Sequence, residues 1–455
     1  MTLERAVAAV FIIVYAYVIF AKKWQAAALW IGVVVLFGVA QVLGDPAGHL
    51  GLRALFIGRP ADPATGAEAT RAAVNWNILG IFAGTLVLSE LFLDSRVPAL
   101  LANRVVSASR TAGMALLWIC VLGSLISMFV ANVAAVLIVA PVGLEVSRRL
   151  RIAPAPFLIG LAVSANLQGM AMLIGDPPSM LLAAHEGMTF NDFFFMRARG
   201  TVGPWKPGIF FATQVGAIAS LGCLYLIFRR YRQPVQAPPP VRVGSWVPTI
   251  LLALSLATLA CASLVDPDFR WFAGVSCVAW AIVGVVWATV FHGWGPTAKM
   301  LARYDIETTA FLAGVFILAY AMDKYGHVAT IARAIEGVVG GSPALAYVTI
   351  VLFSVLASAF LDNVPYTALM LPVAGRLAVA VGLPTDYVLT FGLLIGACLG
   401  GNITPVGASA NVVALGLLRR EGESVGFWRF AKIGVPFTLS ATLAGALFVW
   451  LVWGP

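Results

Sequence analysis

Leu361–Asp362–Asn363–Val364–Pro365–Tyr366–Thr367 is the stretch on which the fold turns. It separates two apolar runs, Ala344–Phe360 and Ala368–Ala380, each shorter than the roughly 20 residues that a bilayer-crossing helix needs. An acid, an amide and a proline are costly in the middle of a lipid-facing helix. They suit the tip of a re-entrant hairpin, where irregular backbone is shielded by protein and lines a cavity.

Working outward, the 455 residues are 61 % hydrophobic and 11 % charged. Apolar runs recur along the whole length and leave no room for a soluble domain, so the chain reads as an all-α polytopic membrane protein. The net charge of +9 reads as a basic cytoplasmic face, which removes nucleic acid as a partner. Met1–Phe20 lacks a signal-peptide cleavage site and reads as a retained first helix. The five cysteines form neither a CxxC nor a Cys/His cluster and read as packing residues. No cofactor is expected. No HExxH, GxSxG or paired catalytic acids occur, so an enzyme is not expected either.

The stretch has a counterpart. Shifted by 231 positions, Ser127, Phe129, Asn132, Val133 and Pro141 fall on Ser358, Phe360, Asn363, Val364 and Pro372. With one more residue of offset, Ile174–Gly175 falls on Val406–Gly407. The expected organisation is a first repeat over 1–229, with a hairpin tip at 131–133 and a helix break at 175–178. A basic, proline-rich cytoplasmic linker follows over 230–245. The second repeat, 246–455, has its tip at 362–365 and its break at 401–408. Asn191–Gly200 and Gly426–Lys432 read as amphipathic helices, the latter ahead of a last crossing at Val435–Trp453. If the hairpins do not cross, each half has five crossings and the repeats have inverted topology. Eighteen of the 29 Lys and Arg residues then lie on the linker side, as the positive-inside rule requires, and both termini are external.

Matching broken helices point to a transporter's binding site. The expected substrate-binding residues are Asn132, Ser179, Asn363, Asn402, Thr404, Ser409 and Asn411. The expected ion-coupling residues are Asp362, Asp176, Asn363, Gly175 and Gly407, with H+ or Na+ as coupling ion and a sodium site at Asp362 and Asn363. For Asp176 the competing reading is an N-cap of the helix that starts at Pro177. For Asp362 a functional reading leads, because no basic residue lies nearby in sequence. Glu90 reads as structural, Cys398 as packing, and Glu145 and Arg376 as solvated hairpin ends.

Ser358–Ala–Phe–Leu–Asp–Asn–Val–Pro–Tyr–Thr367 and Gly400–Gly–Asn–Ile–Thr–Pro–Val–Gly–Ala–Ser–Ala–Asn–Val–Val413 resemble signatures of the arsenite-permease and sodium–proton-antiporter branch of the ion transporter superfamily, which includes the P protein. Ile174–Gly–Asp–Pro–Pro–Ser179 resembles the first-half counterpart. The resemblance implies a homodimer in the inner (plasma) membrane. It also implies an elevator motion, in which a mobile domain of hairpins and broken helices slides against a scaffold, driven by a proton or sodium gradient. The sister branch of dicarboxylate–sodium symporters carries Ser-Asn-Thr at both tips; here the tips read Ala131–Asn132–Val133 and Asp362–Asn363–Val364. The missing hydroxyls demote di- and tricarboxylates. The leading reading is therefore ion-coupled transport of a small inorganic solute, arsenite or antimonite efflux or anion transport. Sodium–proton antiport is the rival, and a dicarboxylate symporter and an anion channel stand behind it.

Overall fold

The computed structural model describes residues 2–20, 24–45, 48–58, 72–197, 204–235 and 239–455. Lys22–Lys23, most of the Gly44–Val74 connection's centre and Pro238 of the linker lie outside them. Among the described residues, seven helices are long and apolar enough to cross a membrane, taking Trp294–Lys324 as one. The chain is a multi-pass membrane protein.

The two hairpins are helical. Ala112–Ser127 and Asn132–Arg149 form the arms of the first, and Pro343–Ser358 and Asn363–Ala380 the arms of the second. The helix His327–Val339 meets Pro343–Ser358 at 116°. Two broken helices follow the hairpins. One consists of Ala155–Gly169 and Pro177–Glu186, the other of Tyr387–Gly400 and Ser409–Arg420. Within each break a glycine pair brings the backbone into contact. A Cβ on Gly175 would lie 2.3 Å from the Gly169 carbonyl oxygen, and one on Gly407 would lie 2.6 Å from that of Gly401. Only glycine permits this approach.

The helices that flank this bundle pair across the linker. Trp76–Asp94 packs on Phe272–His292, and Ile306–Lys324 on Gln25–Leu43. The first pair touches through Gly80, Gly84 and Gly274. A Cβ on Gly84 would lie 2.4 Å from the Cys277 carbonyl carbon. This is the small-residue packing by which helices associate where no water drives them together. Asn77 seals the join: its Oδ1 accepts from the Gly274 N–H at 2.6 Å, and its Nδ2 donates to the Phe269 carbonyl at 2.8 Å.

Two local expectations fail. Gly426–Lys432 is not a separate amphipathic helix, because Phe427–Trp453 runs unbroken through Pro436. Buried Phe430 and Phe437 anchor it on both sides of the proline, so packing outweighs the lost hydrogen bond. Asn191–Gly200 is not helical over its described part. A single 3-10 turn at Asn191–Phe193 leads into Phe195–Met196, which pairs antiparallel with Lys206–Pro207. The Gly200 end of that stretch lies outside the described residues.

Candidate functional site

Both tips are built alike. Ala131 (φ −49°, ψ 136°) and Asp362 (φ −63°, ψ 134°) hold the N-cap positions, and an asparagine opens each outgoing arm. The breaks are alike too. Asp176 (φ −150°, ψ 146°) and Ala408 (φ −141°, ψ 147°) hold the N-caps of the second half-helices. One backbone arrangement thus occurs twice, with an acid in one copy and an alanine in the other.

All four helix N-termini border one cavity of about 470 Å³. Its opposite wall comes from Val18, Gln25, Phe82, Thr85, Ser89 and Phe311, with Asp305 and Glu307 at the start of Ile306–Lys324. These last two stand close in sequence to Arg303, which pairs with Asp94 at 2.7 Å. The next residue along, Ser95, accepts from the Gly244 N–H of the linker at 3.0 Å. The acidic edge of the cavity is therefore its linker side. Asp305 caps its own helix, accepting from the Thr308 N–H at 2.9 Å. Among the described residues, no Lys, Arg or His lines the cavity.

Asp176 and Asp362 both border the cavity and differ in what their carboxylates hold. Asp362 is the capping acid, accepting from the Val364 N–H at 3.0 Å. Asp176 makes no side-chain cap. Pro177 and Pro178 have no N–H, and the Ser179 N–H goes to the backbone carbonyl of Asp176. Its carboxylate turns across the cavity instead. It accepts from Asn363 Nδ2 at 3.3 Å and meets the Asn132 amide, with the Asp362 carboxylate close enough to act on it electrostatically. Asn132 is held in turn by the Ser127 hydroxyl, which donates to its Oδ1 at 2.5 Å.

Of the other expected residues, Gly175, Gly407 and Ser409 also line the cavity. Ser179, Asn402, Thr404 and Asn411 do not: all are at most 1 % exposed. Their polar atoms hold the breaks together. The Thr404 hydroxyl donates to the Ala359 carbonyl at 2.6 Å, and Asn411 Nδ2 donates to the carbonyls of Gly401 and Thr404. An unwound segment leaves such carbonyls orphaned, and in a membrane only protein groups can satisfy them. Cys398 is buried and packs. Glu90 faces Arg303 at 3.8 Å, while exposed Arg376 pairs with Asp323 and half-buried Glu145 with Arg149.

Asn166 was missing from the expected set. Its Nδ2 donates to Asn402 Oδ1 at 2.8 Å and to Asn411 Oδ1 at 3.2 Å, so it ties the first broken helix to the second. The signal was present as a polar triplet, Ser164, Asn166 and Gln168, in an otherwise apolar run. Replacing Asn166 with Leu strands two buried acceptors at about 1–3 kcal/mol each. The variant is expected to melt well below wild type in detergent; an unchanged melting curve would contradict this role.

The arrangement offers two kinds of ligand site. On one side are two carboxylates, and the helix ends beneath them have amides removed by Pro177, Pro178 and Pro365. On the other side, the helices starting at Asn132 and Ser409 receive no side-chain cap, so first-turn N–H groups remain for a ligand. Each N-terminus carries about half a positive charge. Four of them offset about two carboxylates, which suits the site to a cation and an anion together.

Comparison with known proteins agrees with this architecture. The family model described as "Citrate transporter", CitMHS, matches residues 15–279 and 270–454. An uncharacterized transporter of Mycobacterium tuberculosis is 28 % identical over 389 residues, covering 84 % of this chain and 87 % of that protein. The P protein of Sus scrofa is 24 % identical over 450 residues, covering 83 % of this chain and 53 % of that protein. Among solved structures, the YdaH transporter of Alcanivorax borkumensis shares the fold with a TM-score of 0.57 at 15 % identity, over 94 % of this chain and 98 % of that one.

Proposed function

The chain belongs to the CitMHS family of citrate transporters, and on that premise we propose that it is a cation-coupled secondary transporter of a small, oxygen-rich anion. The coupling ion, H+ or Na+, sits between Asp176 and Asp362. The solute sits against the uncapped helix ends at Asn132 and Ser409, with Asn132 and Asn363 between the two. The observation that carries this reading is the alternation of acid-bearing and uncapped helix N-termini around one cavity that no basic side chain lines among the described residues.

The same charges bear on the solute. A free tricarboxylate finds no arginine or lysine among the described lining residues and meets two cavity carboxylates, which favours entry of citrate with its charge offset by a bound cation. A compact inorganic solute such as arsenite needs only the amides and N–H groups, although no thiol lines the cavity to favour it. Sodium–proton antiport would use the acid pair alone and leave the uncapped ends without a ligand.

The repeated order of elements supports an inverted-repeat architecture and an elevator motion of the hairpins and broken helices against the paired flanking helices. The basic linker supports a cytoplasmic placement of the linker side, which makes the present cavity inward-facing and both termini external. An inner-membrane homodimer fits the same reading. The test is flux into liposomes holding the purified protein. Citrate with and without Mg2+, arsenite and sodium are offered under imposed proton or sodium gradients. Uphill accumulation of one anion, dependent on one cation, is expected. Downhill flux at channel rates would sink the proposal, and sodium–proton exchange without any anion would replace it.

A further inference from the structure

Two stretches of this chain hold arginine without any acid. From Ser95 to Gly113 and from Arg229 to Gly244 there is no Asp or Glu, yet Arg96, Arg104, Arg110, Arg229, Arg232 and Arg242 stand there, all exposed. The fold lays one stretch along the other. Val97–Ala108 joins Trp76–Asp94 to the first hairpin arm, and the linker runs back beside it in the opposite direction. The N–H groups of Gly113 and Ala112 donate to the carbonyls of Tyr231 and Gln233, both at 2.9 Å. Asn103 Nδ2 donates to the Pro239 carbonyl at 2.6 Å, and the Gly244 N–H donates to the Ser95 carbonyl at 3.0 Å. The linker is thus fastened at both ends and in the middle. Gly113 permits the tight join, since a Cβ there would lie 2.1 Å from the Phe228 carbonyl oxygen.

We propose that this helix and the linker fastened along it form a ledge that binds the headgroups of anionic phospholipids in the adjoining leaflet. Its level selects the partner. Trp76–Asp94 and Ile209–Phe228 end beside it and Val247–Val265 begins there, so the ledge lies where the apolar spans stop. Trp246, half exposed, stands at the same level, as amphipathic rings do at a membrane–water boundary. Along the helix, Pro98, Ala102 and Val106 are buried against the protein and Arg104 points the other way. A nucleic acid or an acidic protein would match the charge but not this depth.

The ledge charges are not met from within the protein. Arg148, Arg149 and Arg429, at the same end of the molecule, each meet a glutamate. Among the described residues, none of the six ledge arginines forms an ion pair. Arg230 instead lies over the Tyr231 ring, 4.8 Å from its centre. Like charges fixed on one surface repel one another until anions come between them. A phosphate accepts the planar guanidinium fork at two points, and a negatively charged leaflet presents such phosphates in a layer at the height of the ledge.

The experiment titrates the full-length protein, in a non-ionic detergent, with phosphatidylglycerol or with phosphatidylcholine of the same acyl chains. Bound lipid is counted by native mass spectrometry, and no transported solute is involved, so the result is independent of any flux assay. Wild type is expected to prefer phosphatidylglycerol, and the preference to fade as NaCl is raised; this comparison requires no variant to fold. Replacing Arg104, Arg229 and Arg232 together by Gln should weaken phosphatidylglycerol binding about a hundredfold. The triple variant should melt like wild type, because all three side chains are exposed. Arg53→Gln combined with Arg333→Gln, exposed arginines at the other end of the molecule, should keep the preference. Equal binding of the two lipids, a preference that survives in the triple variant, an equal loss in the Arg53 and Arg333 variant, or inorganic phosphate binding as tightly as the lipid would each overturn the proposal.

Discussion

Asp176→Asn is expected to abolish gradient-driven transport while leaving the protein folded. The substitution keeps size and shape but removes the charge. A unit charge 4 Å from a cation contributes about 4 kcal/mol at an effective dielectric of 20, so cation affinity should fall by about a thousandfold. Asparagine also keeps only one acceptor oxygen where the carboxylate has two, so it can still accept from Asn363 Nδ2, as Asp176 does at 3.3 Å, but it turns an NH2 group toward its other neighbours. Capping does not complicate the result, because the Asp176 side chain caps nothing. The measurement is uptake as a function of cation concentration in liposomes. An unchanged cation dependence in well-folded Asp176→Asn protein would remove this residue from the coupling site.

Asp362 allows a sharper experiment because it does two jobs. It caps the Asn363–Ala380 arm through the Val364 N–H and presents its remaining charge to the cavity. Asparagine caps about as well as aspartate, whereas alanine loses about 1 kcal/mol. Asp362→Asn should therefore melt like wild type yet lose ion coupling as severely as Asp176→Asn. Asp362→Ala should lose both. If Asp362→Asn retains full coupling, the carboxylate is a cap alone and the cation belongs to Asp176.

The hairpin tips and helix breaks were legible because glycine, proline, acid and amide are expensive in an apolar run. Leu361–Thr367 and Gly175–Pro178 could hardly be anything but interruptions. The division of labour between the acids was not legible. Two prolines after Asp176 looked like a helix start awaiting a cap, but they also remove the amides a cap would bind. The asparagines were over-read. From sequence, an amide that binds solute cannot be told from one that holds the backbone together: Asn411 satisfies the carbonyls of Gly401 and Thr404, and Asn402 donates to the Val163 carbonyl and accepts from Asn166. The opposite wall went unread because Thr85 and Ser89 are small and isolated, while Asp305 and Glu307 look like an ordinary solvated helix start. Their role depends on which helix faces the hairpins, and that is set by pairing across the linker.

That pairing gives the molecule a fixed frame of reference. Where Gly80 and Gly84 meet Gly274 and Cys277, backbone rests on backbone. Between such surfaces there are no rotamers to exchange and no slack to take up. Thr85 and Ser89 stand on that same rigid pair, so under the proposed elevator motion the cavity's far wall would keep its coordinates while the facing elements change theirs. Spin or fluorescent labels on the outer face of this pair would then serve as survey markers, against which any displacement of the hairpin tips can be measured as absolute distance.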